Sequence, residues 1–166
     1  MAAAEVGRWV LLSYRLPREP STPRIGVWRK LDRLGVARLG DGLVALPADA
    51  RTREQVEWVA EEIVEAGGTA TVWLAEPATV AAERAVAEGM RAARAAEYQA
   101  VIDQATSAEP AGEDPVRVAR RLRAELRRIG RRDFFPPAER DRAKAAVDAL
   151  AGTDIETGDA EVEETR

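Results

Sequence analysis

The chain is 166 residues long, 46% hydrophobic with alanine supplying much of that share, and carries a net charge of −4. It has no Cys and no His. That excludes disulfides, thiol chemistry, a zinc site and a Ser-His-Asp triad, because the commonest transition-metal ligand and the usual general base are both missing. No window approaches the roughly 18 apolar residues of a membrane span, and the opening MAAAEVG lacks the cationic start and apolar run of a secretory leader. A soluble, cytoplasmic protein is expected.

Arg8–Tyr14 is an apolar run containing Trp9 and Tyr14, the pattern of a central strand buried on both faces, and Pro17 and Pro20 end it. Thr22-Pro23 predicts an N-cap with proline at the first helical position. Val27, Trp28, Leu31 and Leu34 then form a buried stripe, and Gly35 supplies the C-terminal stop. Val36–Leu39 and Leu43–Leu46 read as two short strands around Gly40-Asp41-Gly42, a hairpin signal. Thr52-Arg-Glu-Gln55 reads as a capping box opening a helix with Val56, Val59 and Ile63 buried, which Gly67-Gly68 ends. Thr69–Leu74 alternates as a strand. The order β-α-β-β-α-β predicts an α+β, ferredoxin-like sandwich over residues 1–76.

A long helix is expected from Pro77 to about Thr106, then a linker with Pro110 and Gly112, a helix over Pro115–Ile129, and a short helix over Ala138–Leu150. Asp133-Phe-Phe-Pro-Pro137 reads as a rigid turn whose phenylalanines plug the core. Residues 77–151 therefore form a C-terminal helical region: the long helix and two shorter ones. Residues 152–166 read as an acidic disordered tail, with six acids against one Arg.

The acidic total hides local basic fields. Arg8–Arg38 holds eight Lys/Arg against two acids, a balance of +6, and Pro115–Arg132 holds eight Arg against one Glu, a balance of +7. Arg15, Arg18, Arg24, Arg29 and Lys30 follow the first strand and line the first helix, where guanidinium forks suit a tetrahedral oxyanion or a phosphate backbone. A solvated helix face with ordinary ion pairs is the competing reading. Arg120, Arg121, Arg127 and Arg128 are candidate nucleic-acid contacts, again against an ion-paired surface helix. Trp9, Trp28 and Trp73 are assigned to the core, while Trp58, one position off its helix stripe, is an interface candidate. Glu57, Glu61, Glu62 and Glu65 read as a solvated acidic face, so no metal and no other cofactor is expected.

Trp9-Val-Leu-Leu-Ser-Tyr-Arg-Leu-Pro-Arg-Glu-Pro, Val27-Trp-Arg-Lys-Leu, Leu43-Val-Ala-Leu-Pro, Ala95-Ala-Glu-Tyr98 and Arg132-Asp-Phe-Phe135 together resemble the N-terminal domain of the chromate-resistance protein ChrB family. The resemblance covers roughly residues 8–150 and implies a chromate-responsive regulator, with chromate or another oxyanion, and DNA, as its partners. The fuller relatives it implies carry a second, C-terminal domain. The strand order also resembles Cas2-type nucleases, which place an Asp at the end of strand one for a metal. Here that place reads Ser13-Tyr14-Arg15, so a divergent, inactive Cas2-like nuclease is only the second alternative for this chain. A non-enzymatic regulator or sensor is expected; a homodimeric interaction module is the alternative.

Overall fold

The computed structural model describes residues 7–108 and 111–159, the last seven as backbone only. The chain packs as two compact units, residues 1–90 and 91–166.

In the first unit, β1 (Trp9–Arg15), α1 (Ser21–Leu34), β2 (Ala37–Gly40), β3 (Leu43–Pro47), α2 (Ala50–Glu65) and β4 (Thr69–Ala75) follow in order. The four strands form one sheet in the order β2-β3-β1-β4, with every pairing antiparallel. Each helical crossover thus joins strands separated by one other, the split β-α-β arrangement of a ferredoxin-like sandwich. Val10 and Leu12 of β1, Val44 and Leu46 of β3, Val27 and Leu31 of α1, and Val56, Val59 and Ile63 of α2 are all buried. The opposite sheet face starts with Trp9, which is buried and donates its indole N–H to Glu83 Oε1 at 3.1 Å.

Several expectations shift. α1 begins at Ser21 with Pro20 as N-cap, so Pro23 stands in the first turn rather than at its first position. Proline is tolerated there because the first four helical N–H groups have no intrahelical acceptor. The capping box of α2 is formed by Asp49 and Thr52, not Thr52 and Gln55. Asp49 Oδ1 accepts from the Thr52 N–H at 2.7 Å, and Thr52 Oγ1 accepts from the Asp49 N–H at 2.9 Å. Thr52 is thereby the third helical residue, and its hydroxyl also donates to the Pro47 carbonyl at 2.6 Å.

Trp28 and Trp73, assigned to the core, are 53% and 54% exposed. Trp28 follows Val27 and so points about 100° away from the stripe that Val27 and Leu31 bury. Trp73 pairs in register with Leu11, on the sheet face turned away from Val10 and Leu12, and its strand is at the sheet edge.

The backbone N–H of Thr52 holds the Asp49 carboxyl below its ordinary range. The ionised cap therefore contributes stability above about pH 4, and this contribution is lost as pH falls through the lowered value. Asp49→Ala is expected to cost about 1 kcal/mol near neutrality. The difference from wild type should shrink in acid, and urea unfolding at a series of pH values checks both.

The division between units lies inside α3 (Val80–Ala108), between Met90 and Arg91, whereas the sequence punctuation divides at Pro77. In the second unit, α3 continues and is followed by α4 (Pro115–Gly130) and α5 (Glu139–Asp159). Asp114 caps α4 by accepting from the Val116 N–H at 3.0 Å. Tyr98, Val101, Val118, Leu122, Ile129 and Val147 are central to this unit's core. Phe134 and Phe135, expected to plug the core, are half-buried, and Pro137 of the same turn is buried. The tail reading applies to residues of which 160–166 lie outside the described residues, while α5 itself extends to Asp159.

Candidate functional site

β1 and β3 are antiparallel, with Ser13 opposite Leu43, so the β2–β3 turn lies at the C-terminal end of β1. The turn is tied there by the Tyr14 N–H donating to the Gly42 carbonyl at 2.8 Å. Gly42 has φ +69°, and a Cβ at this position would overlap the Tyr14 carbonyl oxygen. On the other side of the strand end, a Cβ on Gly68 would overlap the Arg15 carbonyl oxygen and press on Ile63. Two glycines thus let the chain close around the last two residues of β1.

The start of α1 reaches the same place. Ser21, Arg24, Ile25 and Trp28 are spaced i, i+3, i+4 and i+7, so they share one helix face. With Tyr14, Arg15, Arg38 and the Gly40–Gly42 turn they line a solvent-open cleft of about 1090 Å³. The Arg38 guanidinium lies 5.6 Å from the centroid of the Trp28 ring, within cation–π range. Arg15, Arg24 and Arg38 make no ion pair with any described residue. No side chain caps α1, so the N–H groups of its first turn add donors at this end.

Of the cations singled out from sequence, Arg15 and Arg24 line the cleft; Arg18 and Arg29 do not. Lys30 is paired with Glu62 of α2. Sequence reasoning missed Arg38, Tyr14, Ser21 and Trp28. The i, i+3, i+7 spacing of Ser21, Arg24 and Trp28 was available as a signal, whereas Arg38 reaches the end of β1 only through the pairing of β3 with β1.

Trp58 is 60% exposed and lies in a shallow depression of about 300 Å³ with Lys30, Arg33, Leu34, Gln55 and Glu62. In the second unit, Arg121 faces Glu113 at 3.9 Å and Arg128 pairs with Glu125 at 2.6 Å. Arg120 and Arg127 are exposed on α4, and Arg127 lines a shallow surface with Arg123, Lys144 and Asp148. Exposed pairs of this kind contribute little to stability and leave the helix face less positive than its arginine count.

The strings around Tyr98 and Asp133 meet in the same unit. Tyr98 donates its hydroxyl to Asp133 Oδ2 at 2.9 Å, while Glu97 accepts from both Arg94, at 2.8 Å, and Arg132. Burial, reinforced by the Asp133 carboxylate, pushes the Tyr98 phenol above its ordinary range. Arg94 Nε, Arg132 Nε and Asp133 Oδ1 are buried with no hydrogen-bond partner among the described residues. Two guanidiniums and two carboxylates balance here, so this network reads as a clamp from α3 to the segment after α4 rather than as a charged site.

The profile described as "Protein ChrB, N-terminal" matches residues 24–113. The chain is 30% identical over 156 residues to Protein ChrB of Cupriavidus metallidurans, an alignment covering 86% of this chain and 47% of that relative. No solved structure matches. The chain belongs to the ChrB family, which is associated with chromate resistance, through that family's N-terminal part. It spans about half the length of the curated relative it matches. No described helix is long and apolar enough to cross a membrane.

Proposed function

We propose that the chain is a regulatory protein of the chromate-resistance type that holds nucleic-acid phosphates in the cleft at the end of β1. The observation that carries this reading is the convergence of Arg15, Arg24 and Arg38, none ion-paired with a described residue, on one open cleft of about 1090 Å³. That volume exceeds most small-molecule pockets, and its open rim suits an extended polyanion better than one enclosed ion. Guanidinium forks supply bidentate phosphate contacts, and Tyr14 and Ser21 supply hydroxyls of the kind that position a backbone without reading bases.

A second reading, binding of a free tetrahedral oxyanion such as chromate, draws on the uncapped first turn of α1, whose N–H groups and Ser21 adjoin the same arginines. Sulfate or phosphate would fit the same donors. Fluorescence anisotropy with labelled DNA from upstream of the coding sequence, against random DNA at two salt concentrations, tests the first reading. Saturable binding that weakens steeply with salt is the expected result, and no binding at low salt would sink it. A thermal-shift series with chromate, sulfate and phosphate tests the second; a shift that Arg24→Ala removes would favour it.

A further inference from the structure

The two edges of the sheet differ. β2 is four residues long, is irregular between Arg38 and Gly40, and carries Arg38, features that discourage a further strand from pairing with it. β4 has none of these protections. It is seven residues long, pairs along its whole length with β1, and makes no backbone hydrogen bond to any other described segment. The stretch from Ala66 to Ala75 contains no charged residue and no proline. Leu74, in register with Val10, and Trp73, in register with Leu11, lie on opposite faces of the sheet, and both remain more than half exposed.

We infer that β4 pairs antiparallel with β4 of a second copy of this chain, joining two four-stranded sheets into one of eight strands. The sequence of the strand is self-complementary about Val72. With Val72 on the two-fold axis, Trp73 faces Thr71 of the second copy, Leu74 faces Ala70, and Ala75 faces Thr69. Each large side chain thus opposes a small one on the same face, as cross-strand packing requires. The charge pattern favours self-pairing at this edge: a β2–β2 contact would bring Arg38 towards its own copy, whereas β4 brings no like charges together. Pairing also satisfies the outward N–H and C=O groups of β4 and covers Trp73 and Leu74. This interface lies apart from the cleft and does not depend on what the cleft binds.

Light scattering and sedimentation of the full chain test the assignment. Wild type is expected to be a dimer, with outward-facing β4 amides whose hydrogen exchange slows as protein concentration rises. T71K/W73K and T71E/W73E each place like charges across the axis, and each should raise the dimer dissociation constant about a hundredfold or more. Both positions are exposed, so circular dichroism should be unchanged. An equal mixture of the two variants should recover the dimer through opposite charges. A wild-type monomer at millimolar concentration would overturn the inference. So would a dimer that both charged variants leave intact, or β4 exchange that is independent of concentration, which would leave the edge to an extended segment of another protein.

Discussion

Removing the three cleft arginines together, Arg15→Ala, Arg24→Ala and Arg38→Ala, is expected to abolish most DNA affinity while leaving the fold intact. All three side chains are exposed and none is ion-paired with a described residue, so their loss leaves no unpaired carboxylate behind. Each phosphate contact releases condensed counterions, so the slope of log affinity against log salt should become shallower by about 3. Anisotropy titrations across a salt series measure that slope. A triple variant with wild-type affinity and slope would remove the cleft from consideration. Arg120→Ala/Arg127→Ala then becomes the informative comparison, since these α4 cations also lack ion pairs with described residues.

Gly42→Ala should be among the most destabilising single changes in the first unit, by about 3 kcal/mol. Its φ of +69° is a conformation that costs an L-residue about 1–2 kcal/mol, and the new methyl would overlap the Tyr14 carbonyl oxygen. That oxygen belongs to the backbone of a central strand and cannot swing aside, so the turn must move and weaken the hydrogen bond between Tyr14 and Gly42. Gly68→Ala should cost about 1–3 kcal/mol by overpacking against the Arg15 carbonyl and Ile63. Gly40→Ala is the control: nothing lies within 4 Å of its added Cβ, and its effect should be small. Urea unfolding followed by tryptophan fluorescence ranks the three. If Gly42→Ala were as mild as Gly40→Ala, the turn would not be what anchors the end of β1.

The elements of the first unit were legible because each carries its own stop. Gly35 adopts φ +72° after α1, and Gly67 φ +82° after α2, positions that a side chain would strain. The cap of α2 was displaced because Asp49 and Thr52 satisfy two orphan N–H groups together, and no local rule prefers the later Thr52–Gln55 pair once Asp49 is in place. Arg15 and Arg24 were legible as cations beside a strand end and a helix start. Arg18 and Arg29 were equally plausible on charge alone, and only the folded structure leaves them off the cleft lining.

The sequence by itself determined the order of strands and helices, the buried stripes, and the concentration of positive charge around β1 and α1. These depend on neighbours within a few residues: apolar periodicity, glycines and prolines. Tertiary structure alone decided that Arg38 joins Arg15 and Arg24, that Trp28 and Trp73 remain at the surface, and that no described segment pairs with the outer edge of β4. Each of those depends on pairings such as Ser13 with Leu43 and Leu11 with Trp73, between residues about 30 and 60 positions apart. A local pattern records which face a residue is on, but which other segments share that face is fixed only when the sheet closes.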